Sequence, residues 1–441
     1  MFYTNMKKFG LFLCVGFLCS CSLFNENKDL PTGKRISILD TKYNFANYTN
    51  KFADSLPIPV SDKNWLQSGG SSTHVVGNIG GSKNMFKSWT ASFGKEADKR
   101  NLMLAQPIIV NNFLYTQDVE ATVNAFDLRN GKKIWETKIT PVHKNISDNG
   151  LNGIGLASDK HNIFAITGYG SVVALDTKTG KQTWRVDLNT LVRTAPNVCA
   201  DKLIIQTLDN KLLILNTKDG SEIFKYETSS EDTILAGGAV PACSVENSII
   251  VAGFSNGQIE AFNADIGYPL WTANLVNTKR GNFTTNINAI KASPIIDGEI
   301  VYAVGNNDLL LALDYRTGEK IWSQEISSTN TPWIAGDYMY ILTNNNELLC
   351  LQKTSGEIIF AVKLLTEYEL KEKNGIYLSG PIMISNKLLV TASNGIVYII
   401  SPTDGVIEHK LDLEEEIPYS PISASNTVVF ATSDANVIVY K

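Results

Sequence analysis

The sequence predicts an all-β chain folded as an eight-bladed β-propeller with four-stranded blades, the ring closed by an N-terminal strand. Three observations predict it. A turn motif recurs at blade spacing, two β-type runs precede each turn, and the repeat array has complementary unmatched strands at its two ends.

The motif is clearest at 311–322, LALDYRTGEKIW. Leu311 and Leu313 alternate with other residues along a short strand, and the Asp314 carboxylate is placed to accept backbone N–H bonds in a turn. Gly318 supplies the positive φ of a hairpin, and Trp322 follows in the returning strand. Aligned on the glycine, the copies are FDLRNGKKIW (Gly131), LDTKTGKQTW (Gly180), LNTKDGSEIF (Gly220), FNADIGYPLW (Gly267), LDYRTGEKIW (Gly318), LQKTSGEIIF (Gly356) and ISPTDGVIEH (Gly405). Four positions after the glycine stand Trp135, Trp184, Phe224, Trp271, Trp322, Phe360 and His409. Four before it stand Asp127, Asp176, Asn216, Asn263, Asp314, Gln352 and Ser401. Seven copies in register, 38 to 51 residues apart, exclude chance turns. Ahead of each turn lie two further β-type runs, such as IVYAVG then LLLALD, which makes each unit a four-stranded blade.

The ends complete the count. Trp89 in KSWTASF fits a last strand without its first three. SPISA, TVVFAT and VIVYK supply three strands lacking a fourth. Pairing them closes the ring and removes the exposed edges that invite aggregation. With Trp89 the array has eight blades over residues 84–441, or seven if the His409 unit is not a blade.

Composition agrees with one large globular domain: 44% hydrophobic and 19% charged in 441 residues. A net charge of −5, without Lys/Arg runs interleaved with aromatics, argues against nucleic acid as a partner.

The N-terminus reads as an export signal at 1–20. Lys7 and Lys8 precede an apolar run, Phe9–Cys19, of 11 residues, where a spanning helix needs about 20. Met6 is an alternative start. Leu18-Cys19-Ser20-Cys21 resembles a bacterial lipobox, which implies cleavage before Cys21 and lipidation there, with Ser22 directing the product to the outer membrane. The rivals are an ordinary secreted chain cut nearby and a short uncleaved anchor. Residues 21–59 are polar, aperiodic and marked by Pro31, Pro57 and Pro59, a tether part of which could pack on the propeller. The propeller domain is then 60–441, with WLQSGGSSTH from Trp65 a loop or strap ahead of the first strand. Beyond the signal and Cys21 remain Cys199, Cys243 and Cys350, an odd number in separate blades. They read as buried free thiols rather than a disulfide framework.

No enzyme motif is present. The histidines His74, His143, His161 and His409 lack metal-ligand spacing, and GxSxG, Walker-type and GxGxxG patterns are absent. The repeat Asp residues belong to turns.

The blade motif resembles the pyrroloquinoline-quinone (PQQ) type propeller family, with its A-x-D-x-x-T-G-x-x-x-W pattern. ALDTKTGKQTW at 174–184 and ALDYRTGEKIW at 312–322 match it closely. The resemblance implies a structural role in docking blade on blade for Trp89, Trp135, Trp184, Phe224, Trp271, Trp322 and Phe360. Within that family, quinoprotein dehydrogenases use an adjacent cysteine pair, a Ca²⁺ held by carboxylates and an Asp base. The chain beyond its signal has no adjacent cysteines.

Lipobox, tether and eight blades together resemble the BamB family, periplasmic scaffolds of the outer-membrane β-barrel assembly (BAM) machine. That resemblance implies no catalytic residues, no cofactor, and an acyl anchor at Cys21 in the outer membrane, facing the periplasm. It implies a monomer within a complex, whose partners are the POTRA domains of BamA, other BAM lipoproteins and unfolded outer-membrane proteins. In the family a Leu/Arg cluster before a small-residue–Pro strand start contacts BamA. Here LNTLVRTAP at 188–196 occupies that place, with Leu191, Val192 and Arg193 as partner contacts. A neighbouring loop that carries two acids in the family is NAIKASP at 288–294 here, with Ala289 and Lys291 instead. The alternatives are a PQQ-dependent dehydrogenase and a propeller binding a ligand in its channel.

Overall fold

The computed structural model describes residues 56–82, 85–99, 101–140, 153–192, 194–229, 238–275, 289–366 and 375–441. By contact density the chain divides into Met1–Asn44 and Phe45–Lys441, and the first unit lies outside the described residues. So do the export signal, Cys21 and most of the tether.

Eight antiparallel four-stranded sheets form the blades of a propeller. Blade 1 spans Ile108–Lys138, blade 2 Gly153–Asp187, blade 3 Asn197–Glu227, blade 4 Ala242–Asn274 and blade 5 Ile295–Gln324. Blade 6 spans Trp333–Lys363 and blade 7 Leu378–Asp412. Blade 8 takes three strands from Ile422–Tyr440 and its fourth from Lys87–Ser92, where Trp89 pairs with Val439. The ring is closed by the N-terminal strand that the end-matching argument requires.

Burial explains the sequence pattern within a blade. The second and third strands are covered on both faces by neighbouring blades, so they read as apolar runs, Leu203–Ile205 and Leu212–Leu215 in blade 3. The fourth strand is exposed at the rim, and only there does polarity alternate, as in Glu222–Glu227.

In blades 1 to 5 the third-to-fourth-strand turn is held by the predicted polar residue, whose side chain accepts backbone N–H groups of the turn. Asp314 Oδ1 accepts the N–H groups of Arg316 and Thr317, both at 2.9 Å, and these bonds keep its carboxyl below the usual range. The turn glycines have φ between +67° and +74°. Against each lies the preceding blade's aromatic. A Cβ added at Gly318 would stand 2.6 Å from the Trp271 ring, and at Gly131, 2.6 Å from Trp89. The same contact joins Trp135 to Gly180, Trp184 to Gly220, Phe224 to Gly267, Trp322 to Gly356 and Phe360 to Gly405. Each tryptophan also donates its indole N–H to the carbonyl three residues before that glycine. Trp89 bonds Leu128 (3.1 Å), Trp135 Thr177 (2.9 Å), Trp184 Thr217 (2.9 Å), Trp271 Tyr315 (2.8 Å) and Trp322 Lys353 (3.0 Å).

His409 is exposed, for a topological reason. The aromatic of blade 7 would rest on the third-to-fourth-strand turn of blade 8. In that blade those two strands come from distant parts of the chain, and no hairpin joins them.

The cysteine expectation is corrected. Cys199 and Cys243 form a disulfide, with Cα atoms 6.1 Å apart and a sequence separation of 44. Separate blades are not distant at the ring axis: first strands of neighbouring blades run side by side, and one repeat's spacing brings both thiols together. Cys350 alone is a buried free thiol among the described residues, and burial pushes its pKa well up.

Candidate partner-binding face

Because strands alternate in direction, each blade presents two kinds of connection on opposite faces of the ring. First-to-second and third-to-fourth turns lie on one face, while second-to-third turns and inter-blade connections lie on the other.

The first face is occupied by the chain itself. Residues 57–81 run a full circuit around the axis and bond to every blade. Trp65 exchanges backbone hydrogen bonds with Ile109 of blade 1 (2.8 and 2.9 Å), and Leu66 O accepts from Ser158 of blade 2 (2.9 Å). Gln67 Oε1 accepts from the Val198 N–H of blade 3 (2.7 Å). Ser72 O accepts from Cys243 of blade 4 (2.7 Å), and Thr73 O from Ile296 of blade 5 (3.0 Å). Gly77 O accepts from the Trp333 indole of blade 6 (2.9 Å). Ile79 pairs with Met383 and Ser385 of blade 7, and Asp62 O accepts from Ser425 of blade 8 (2.7 Å). The circuit then closes on itself: Val60 N–H donates to Asn78 O (2.9 Å) and Gly80 N–H to Val60 O (2.7 Å).

Residues 68–74 form turns and bends within this circuit. Trp65 stacks near-parallel on Trp333, with ring centroids 6.5 Å apart. Gly69 and Gly70 have positive φ, and an added Cβ at Gly69 would stand 2.6 Å from the His74 ring. His74 is buried, its Nδ1 within 2.7 Å of Pro294 O, which makes that nitrogen the protonated one; burial lowers its pKa to about 4. Pro57 already packs on Gly336, so 57–59, placed in the tether by composition, sit on the ring.

The opposite face gathers the inter-blade connections, including both loops singled out in the sequence. A narrow cleft lies where those of blades 3, 4 and 5 meet, lined by Thr194, Gln206, Asn210, Gly238, Ser255 and Ile290. Small residues let the loops interlock. A Cβ on Gly238 would stand 2.7 Å from Thr194, and one on Gly253 would stand 2.8 Å from Ile290. Gln206 donates its amide to Gly253 O (2.7 Å), while its buried carbonyl oxygen has no partner.

The three predicted contacts separate here. Leu191 is accessible at 37%, and its carbonyl accepts the Leu208 N–H at 2.8 Å. Val192 is fully buried, packed with Ile154, Phe164 and Ile205 between blades 2 and 3. This corrects its reading as a surface contact: its apolar side chain anchors the loop from beneath. Arg193 lies outside the described residues.

In the neighbouring loop Ala289 and Ile290 are buried and Lys291 is accessible. Desolvation lowers the pKa of the Lys291 ammonium. Asp209, at the base of the Leu191 loop, is held below its usual pKa by Lys211, Thr207 and Thr190, although burial opposes this.

Among the described residues no group of three or more His, Cys, Asp or Glu is placed to hold a metal, and no helix is long and apolar enough to cross a membrane. The stretch from Trp65 was recognisable in sequence as a loop or strap, but its path around the ring was not, and the disulfide and the cleft around Gln206 carried no recognisable pattern because each joins residues from different repeats.

Comparison with known proteins agrees with this geometry. The family described as outer membrane protein assembly factor BamB matches residues 119–362. BamB of Yersinia pestis is 24% identical over 365 residues, covering 80% of this chain and 88% of its own. The crystal structure of BamB from Moraxella catarrhalis superposes with a TM-score of 0.67 at 18% identity, covering 81% of this chain and 99% of that one. Quinohemoprotein alcohol dehydrogenase from Comamonas testosteroni shares the fold, with a TM-score of 0.66 at 12% identity, covering 86% of this chain and 80% of that one.

Proposed function

The chain belongs to the BamB family of outer membrane protein assembly factors, and on that premise we propose that it is a non-enzymatic scaffold of the outer-membrane assembly machine. It works from the periplasmic side of the outer membrane, anchored by a lipid on Cys21. It holds BamA through the POTRA domains, alongside the other BAM lipoproteins, and aids insertion of unfolded β-barrel proteins.

The observation that supports this reading is the convergence of the connections of blades 3, 4 and 5 on the face the strap leaves free. The Leu191 loop and the Lys291 loop meet there around one cleft. Leu191 supplies an apolar contact and Arg193 the charge-assisted hydrogen bonds of a partner-binding loop. Lys291 stands where the family carries an acid, so the partner surface facing it is acidic or neutral rather than basic.

Titrating the full chain with the periplasmic domain of BamA tests this. Leu191→Asp and Arg193→Glu each weaken binding roughly tenfold or more while leaving the melting temperature unchanged. Unchanged affinity in both variants removes this loop from the interface. PQQ binding that depends on Ca²⁺, with reduction of an electron acceptor, would move the function to the dehydrogenase class.

A further inference from the structure

We propose that residues 57–81 are a lock as well as a lid: they guard the Cys199–Cys243 disulfide, which is reached by solvent only when this strap lifts. The observations are geometric. The strap hydrogen-bonds to both of the strands that carry the cysteines. Gln67 binds both residues before Cys199, taking the Val198 N–H on its carbonyl oxygen (2.7 Å) and lying 3.5 Å from Asn197 Oδ1 through its amide. Ser72 O accepts two bonds, from the Cys243 N–H (2.7 Å) and from Asn197 Nδ2 (3.1 Å). Cys199 is 4% and Cys243 0% exposed. One carbonyl and one side-chain amide of the strap therefore tie down the backbone on both sides of the bridge.

The strap has the features of a segment that opens as a unit. Its two ends meet each other at Val60 and Ile79, so the circuit is released or retained as a whole. Inside it, Trp65 Nε1 and His74 Nε2 are buried without a partner, and His74 holds φ at +62°. Buried orphan polar atoms and a left-handed non-glycine residue each lower the free energy of local opening relative to global unfolding. The bridge joins blades 3 and 4, whose connections form the cleft on the opposite face.

The chemistry is ordinary thiol–disulfide exchange. A thiolate of dithiothreitol attacks one sulfur and expels the other as a thiolate. The second thiol of the reagent then releases the first cysteine. The protein gains two electrons and two protons as Cys199 and Cys243 thiols, and the reagent leaves as its cyclic disulfide.

The test is the rate of that reduction in the full-length protein, followed at Cys199, Cys243 and Cys350 by alkylation and peptide mass spectrometry. Cys350, buried in blade 6, reports global unfolding. Gln67→Ala and Trp65→Ala loosen the strap at different points. The milder Gln67→Ala keeps the test valid if Trp65→Ala misfolds. We expect reduction to run roughly tenfold faster in Gln67→Ala than in the unaltered chain, with Cys350 still unalkylated. Wild-type rates in both variants overturn the proposal. So does alkylation of Cys350 in step with reduction in every protein, since the bridge would then open only on global unfolding.

Discussion

A tryptophan and a glycine from different blades make the contact on which the ring is built, and its energetics belong to single residues. Gly318 needs both its φ of +70° and the space under Trp271. Gly318→Ala therefore costs about 1–3 kcal/mol, read as the shift in urea midpoint. Trp271→Ala loses the packed ring and the hydrogen bond to Tyr315 O, and costs about 3–5 kcal/mol. His409→Trp is the control: with no hairpin in blade 8 to receive it, it changes stability by less than about 0.5 kcal/mol. A large gain there would mean that blade docking does not depend on the turn.

His74 sets a pH dependence at the same scale. The folded ring holds it neutral with its pKa lowered to about 4, against 6.5 for the free side chain. Between those values the unfolded chain binds a proton that the folded chain does not. Its contribution is therefore intact above pH 6.5 and is lost as pH falls towards 4, at about 1.36 kcal/mol per pH unit. His74→Asn, which tolerates the left-handed backbone, flattens that slope in urea titrations across the window. An unchanged slope would assign it to other groups.

At the scale of elements, legibility followed the repeat. The strands, the turns, the docking aromatics and the closing strand all recur or complete a recurrence, so one chain position predicts the next. The disulfide and the cleft arise where equivalent positions of neighbouring blades meet, and the strap's path lies outside the repeat, so sequence spacing alone does not record which residues face one another. Cys199 and Cys243 illustrate it: one repeat apart in sequence, they are neighbours at the axis. Val192 illustrates it differently, since its loop was recognisable while the direction of its side chain was not. In the chain-entropy account a bridge closing 44 residues stabilises by about 4 kcal/mol. The double variant Cys199→Ser/Cys243→Ser is expected to lose most of that in equilibrium unfolding. A loss under about 1 kcal/mol would show that the strap, not the bridge, holds blades 3 and 4 together.

At the scale of the whole molecule, the ring is two-faced. One end of its axis is taken by residues 57–81 and the other presents the connections of blades 3 to 5, so the docking proposed above is one-sided. The measurement that tests this most directly is co-purification of the intact chain from solubilised envelope of its own cell, for the unaltered protein, Leu191→Asp and Ile266→Asp. Ile266 is 74% exposed on a third-to-fourth-strand turn, on the strapped face. The account predicts recovery of BamA with the unaltered protein and with Ile266→Asp, and its loss with Leu191→Asp. Loss with Ile266→Asp alone, or no BamA with a folded unaltered chain, would contradict it.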